Sequence, residues 1–104
     1  MVKLRELNPQ SAELEVTGDL TESTVAEFRA AMYAAIDQPY NQLDLNLQNV
    51  HVMNSAAIGA ILLLQKKAKE QGKQVTISRC SSELQKTFDA IHLERIVSFG
   101  ARSG

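Results

Sequence analysis

Met53-Asn54-Ser55-Ala56-Ala57-Ile58-Gly59-Ala60 is the stretch that decides how this chain is read. It follows an extended apolar run, Leu43, Leu45, Leu47, Val50 and Val52, and opens the longest amphipathic segment of the sequence. A strand feeding directly into a helix start marks an α/β unit. Asn54 suits the N-cap, where a side-chain oxygen satisfies an orphan backbone N–H, and Ser55 is then the first helical residue. The spacing predicts a helix from Ser55 to Gln71, stopped at Gly72.

Set about 100° apart, Ala57, Ile61, Leu64 and Ala68 fall on one stripe and face the core. Ser55, Gly59 and Lys66 fall on the opposite side, flanked by Leu62 and Leu63. One reading has another helix of the domain covering those leucines. The other makes this a partner-docking face, with Gly59 admitting a close backbone and the leucines supplying buried area. Ser55 also reads two ways. It is a structural residue at a helix start, or a place where free N–H groups and the helix dipole accommodate a phosphate. A phosphate there would add roughly two negative charges beside the docking face.

Outward from this stretch, Val2 to Leu7 reads as a short edge strand closed by Asn8-Pro9. Ala12 to Thr17 alternates apolar and polar residues, so the two strands form an antiparallel pair ended by Gly18-Asp19. Thr21 suits the N-cap of a first helix, with Glu22 in its first turn. Val25, Phe28, Met32, Ala35 and Ile36 give that helix a buried stripe, and Pro39 stops it.

Val75-Thr76-Ile77 is a short strand. Ser82-Glu83-Leu84-Gln85 has the form of a capping box, with Leu84, Phe88 and Ile91 as a third helical stripe. Leu93, Ile96, Val97 and Phe99 form a last turn and a short extended segment, and residues 100–104 a flexible tail. The order β-β-α-β-α-β-α implies one α/β domain with an open sheet and helices in the crossovers.

At 104 residues and 44% apolar content, the chain carries one modest core. Eleven basic against twelve acidic residues, a formal charge of -1, argue against nucleic-acid binding. The single cysteine, Cys80, forms no intrachain disulfide, which favours a reducing compartment. The first residues lack an apolar signal region, and Ala60 to Leu64 is too short to span a membrane. A cytoplasmic protein without membrane insertion is expected.

Catalytic constellations are not legible. His51 and His92 are the only histidines, no cluster has metal-ligand spacing, and no glycine loop cradles phosphate. His51 reads as a surface residue, Cys80 as a buried inert thiol, and Lys66, Lys67 and Lys69 as a solvated helix face. The expectation is a chain that is not an enzyme and holds no cofactor or metal.

With these residues in view, the chain resembles the STAS domain family, and within it the single-domain anti-anti-sigma factors of bacterial partner switching. Gly18-Asp19-Leu20-Thr21 is similar to the family's segment before the first helix. Leu43-Asp44-Leu45 through Val50 resembles its central strand, and Met53-Asn54-Ser55-Ala56-Ala57-Ile58-Gly59 its Met-Asp-Ser-Ser-Gly-Leu-Gly motif. The resemblance implies a STAS fold, a small mixed sheet of about four or five strands with helices mainly on one face.

It also implies an anti-sigma factor antagonist that binds an anti-sigma factor doubling as a serine kinase. Phosphorylation falls at Ser55, a phosphatase resets it, and the chain is a monomer or weak homodimer. Partner contacts would come from Asp19, Thr21, Asn54, Ser55, Ala56, Gly59, Leu62, Leu63 and Lys66. Asn54 stands where the family has aspartate, Ala56-Ala57 where it has Ser-Gly, and Asn46 where an acid is common. Those departures lean towards the alternative, a non-switching accessory subunit bound to a partner such as a transporter ATPase.

Overall fold

The computed structural model describes residues 1–100. The elements are β1 (Val2–Asn8), β2 (Ser11–Thr17), α1 (Val25–Ile36), β3 (Gln42–Asn49), α2 (Ser55–Glu70), β4 (Gln74–Cys80) and α3 (Ser82–Ala90). A 3-10 turn (Leu93–Arg95) and β5 (Ser98–Phe99) follow. The sheet has five strands in the order β1-β2-β3-β4-β5. β1 pairs antiparallel with β2, and every later pairing is parallel, each crossover carrying a helix. The expected mixed sheet is what the chain forms.

Strand alternation decides where the core lies. Ala12, Leu14 and Val16 of β2, Leu43, Leu45 and Leu47 of β3, and Val75 and Ile77 of β4 share one buried face. On it pack Val25, Phe28, Met32, Ala35 and Ile36 of α1, the stripe expected for that helix. Ala57, Ala60, Ile61, Leu64 and Ala68 of α2 and Leu84 and Phe88 of α3 complete a single cluster. The opposite sheet face carries Glu13, Glu15, Gln42, Asp44, Asn46 and Thr76. All three helices therefore sit on one side.

Four local expectations are corrected. Thr21 is not the N-cap of α1; that position is Thr24. The Thr21 carbonyl accepts the N–H groups of Thr24 (3.1 Å) and Val25 (2.9 Å), a turn that delays the helix and leaves Glu22 before it. Ser81, not Ser82, caps α3, with its Oγ accepting the Leu84 N–H at 3.2 Å, so no reciprocal box forms. Ile91 follows the last turn of α3 and is exposed, because the chain turns at His92, whose φ is 56°. Val52 lies past the end of β3 and is exposed.

Of the tail, residues 101–104 lie outside the described residues. Gly100 is tied down: its N–H donates to the Ile77 carbonyl at 2.8 Å, and a β-carbon there would crowd the Ser78 backbone at 3.0 Å from its carbonyl oxygen.

Candidate functional site

The site is built from the loop that joins β3 to α2. Val50 turns inward as the strand ends, and its carbonyl accepts the buried Ser81 hydroxyl at 2.6 Å. On the other side, the segment after β2 runs alongside the same loop. Gly18, at φ 100°, donates its N–H to the Asn49 carbonyl at 3.1 Å. The Leu20 N–H bonds the Val52 carbonyl and the Asn54 N–H bonds the Leu20 carbonyl, both at 2.9 Å, a one-residue parallel bridge between Leu20 and Met53.

Asp19 secures that seam. Its Oδ1 accepts the His51 N–H at 3.3 Å and the Val52 N–H at 3.2 Å, while its own carbonyl accepts the Thr24 hydroxyl at 2.9 Å. A chain held from both sides delivers Asn54 to the helix start in extended conformation, φ −77° and ψ 169°. Asn54 Oδ1 then accepts the Ala57 N–H at 2.9 Å, the capping geometry expected for it.

Ser55 is therefore released from capping. It is the first residue of α2, exposed, and no hydrogen bond is made by its hydroxyl among the described residues. Ala56 is exposed beside it. Gly59, one turn on, faces open space: a β-carbon there would meet nothing within 4 Å. The first turn of α2 contains no acidic residue, so the positive end of the helix dipole is uncompensated by a side-chain charge.

Further along, the two flanking leucines part company. Leu62 is half-buried against the core, whereas Leu63 is 56% exposed. Leu63 and Lys66 line a shallow groove with Tyr33 of α1 and Lys67 and Glu70 of α2, about 420 Å³ in volume. Lys67 is no free solvated cation: its Nζ lies 5.3 Å from the centre of the Tyr33 ring.

The expected contact residues thus fall into two groups. Asp19, Asn54, Ser55 and Ala56 gather at the seam and helix start, with Thr21 just beyond Leu20 on the adjoining turn. Leu63 and Lys66 lie about two turns away along α2.

The sequence reading missed the α3 side of the loop. His51 Nδ1 and Glu83 Oε2 are 2.8 Å apart. That hydrogen bond raises the His51 pKa above its ordinary value; desolvation opposes it, and the carboxylate charges of Glu83 and then Asp19 add to the rise. The same bond lowers the Glu83 pKa. Ser81 and Glu83 lie 31 and 32 positions from their loop partners, so no local pattern announces them. Asn46, read only as a departure from an acid, is 5% exposed, its amide donating to Glu13 at 3.2 Å. Cys80 is half-buried rather than buried.

Among the described residues no group of three or more His, Cys, Asp or Glu side chains is placed to hold a metal ion. No helix among them is long and apolar enough to cross a membrane.

Comparison with solved structures shows the fold. A putative anti-sigma factor antagonist of Thermotoga maritima superposes with a TM-score of 0.84 at 17% identity, over 97% of this chain and 86% of that one. An anti-sigma factor antagonist from Mycobacterium paratuberculosis gives 0.82 at 14%, over 98% and 86%. Unphosphorylated SpoIIAA, a protein of Bacillus, gives 0.79 at 17%, over 98% and 90%. The family model described as Mlab, STAS domain, matches residues 4–98. That match takes in all three helices, β2 to β4 and the seam that presents Ser55, and the chain belongs to the STAS domain family.

Proposed function

We propose that this domain is an anti-sigma factor antagonist of the partner-switching kind, acting in the cytoplasm by binding and without turnover of its own. Its partner is an anti-sigma factor that is also a serine kinase. The observation that carries this reading is the division of labour at the start of α2. Asn54 satisfies the helix end, which leaves the Ser55 hydroxyl exposed and unengaged where a kinase can reach it. SpoIIAA, of the same fold, has been solved in unphosphorylated and phosphorylated forms.

A phosphate on Ser55 would sit at the positive end of α2, where the dipole favours it, so the helix would survive the modification. The change would fall on the partner, which would have to desolvate roughly two added charges at the edge of its contact. A phosphatase would reset the switch. The free domain is a monomer or weak homodimer.

The test pairs the domain with a kinase-like anti-sigma protein and ATP. One phosphate by intact mass, lost in Ser55→Ala, together with release of the complex, supports the switch. A tight complex that never acquires phosphate sinks it.

A second reading is favoured by one feature, the absence of any acid in the first turn of α2. There the domain is a non-switching accessory subunit, for example of a transporter ATPase. Leu63→Asp would then break the complex while Ser55→Ala left it intact.

A further inference from the structure

The domain as a whole is slightly acidic, yet its charges are unevenly placed. Glu13, Glu15 and Asp44 gather on the open face of the sheet, away from the helices. On the helical side, Lys66, Lys67 and Lys69 follow one another along the last turns of α2, against Glu70 alone. On α1, Arg29 one turn before Tyr33 is balanced by Asp37 one turn after it, so the cationic character of the groove comes from the lysines of α2. Between the two helices lies the groove of Tyr33, Leu63, Lys66, Lys67 and Glu70, with the side chain of Leu63 56% exposed in it.

Such a surface suits one kind of occupant. An exposed leucine beside an aromatic ring gives an apolar floor, and the lysine ammonium groups give a cationic wall. An amphipathic helix meets both needs by laying apolar residues on Leu63 and Tyr33 and carboxylates against Lys66 and Lys67. Charge complementarity at the rim would steer and orient it. A basic helix would be repelled there, and an uncharged one would leave the Lys66 ammonium unmatched, Lys67 already lying over the Tyr33 ring.

We infer that the α1–α2 groove is a docking site for an acidic amphipathic helix of the partner protein. Leu63 lies eight residues beyond Ser55, about 12 Å along the helix axis, so one partner can cover both. The groove continues the α2 face that begins at Ser55, and this role rests on the proposed function for the identity of the partner. It would supply affinity that phosphorylation at Ser55 does not abolish directly, leaving the helix end as the switch and the groove as the anchor.

The test needs no partner. A helical peptide with leucines along one face, glutamates along the other and one tryptophan is titrated with the intact domain, which has no tryptophan of its own. Binding should move the amide resonances around Leu63, Tyr33 and Lys66. Lys66→Glu with Lys67→Glu should weaken it roughly tenfold and admit the lysine version of the peptide instead. Leu63→Asp should abolish it, and Ser55→Asp should leave it unchanged.

Equal binding of acidic and basic peptides, or shifts confined to other surfaces, overturns the assignment. So does Leu63-dependent dimerisation of the domain with no peptide bound. Binding to vesicles rich in phosphatidylglycerol but not to the peptide likewise rejects a protein helix in favour of a lipid surface. Loss of phosphate transfer to Ser55 with peptide binding intact would sink the switch alone, so the two proposals fail separately.

Discussion

Asp19 holds Val52: its Oδ1 accepts the Val52 N–H at 3.2 Å across 33 positions of sequence, and the neighbouring His51 N–H at 3.3 Å. A side chain at the end of one strand thus sets the path of the loop leading out of another. Asp19→Ala should cost about 1 kcal/mol, since the freed amides are exposed and water replaces the carboxylate. Hydrogen exchange at His51 and Val52 should accelerate well beyond that of the α1 amides. Asp19→Asn keeps an acceptor oxygen and should recover much of the loss; unchanged exchange in the alanine variant would mean the loop holds its shape without Asp19.

Asn54 is the cap of α2, with its Oδ1 on the Ala57 N–H at 2.9 Å. Asn54→Ala should lower stability by about 1 kcal/mol in urea unfolding. Asn54→Asp should match or exceed the parent, because a carboxylate caps equally well and adds a favourable charge at the helix N-terminus. A destabilised aspartate variant would count against a free dipole at this end.

The pair of His51 and Glu83 gives a pH dependence with a definite sign. The Glu83 hydrogen bond raises the His51 pKa above 6.5, so the His51 contribution is present below that value and lost as pH rises through the raised one. Glu83 is lowered from 4.5, so its contribution is present above that value and lost as pH falls through the lowered one. The link between α3 and the loop should therefore be firmest between 4.5 and 6.5. Titration of the His51 ring by NMR should give a midpoint above 6.5 that moves down in Glu83→Gln. Both side chains are well exposed, so the effect belongs to loop order and not to global stability.

Lys73 closes the C-terminus of α1 from a distant part of the chain. Its Nζ donates to the Ile36 carbonyl at 2.5 Å and the Gln38 carbonyl at 2.6 Å, where the helix dipole is negative. Lys73→Met keeps most of the stem and removes the cation, and should cost about 1 kcal/mol. In a domain of this size that is a fall in Tm of roughly 4–8 °C. A thermal scan with no shift would show that water serves those carbonyls as well.

What could be read directly from the chain was whatever a local period carries. The α1 stripe of Val25, Phe28, Met32, Ala35 and Ile36 and the α2 stripe through Ala57, Ile61, Leu64 and Ala68 are repeats of the helix itself. Asn54 as cap follows equally from residue chemistry at a strand-to-helix junction. Caps chosen among neighbouring hydroxyls were less legible. Thr21 or Thr24, and Ser82 or Ser81, offer the same chemistry, and the difference lies in which backbone groups the turn and the packed loop already occupy.

The sequence by itself determined a helix that opens at Ser55 with one face to the core and another left over. Only the tertiary structure decided what that leftover face is. α1 packs beside α2 closely enough to put Tyr33 under Lys67, yet leaves Leu63 uncovered, while Leu62 lies half-buried against the core. Asp19, Ser81 and Glu83 converge on the loop before Ser55 from more than thirty positions away. The physical reason is that helical period depends on residues three and four apart, whereas the fixing of a loop depends on which strands become neighbours in the sheet. Ser55 is placed by the first rule and presented by the second.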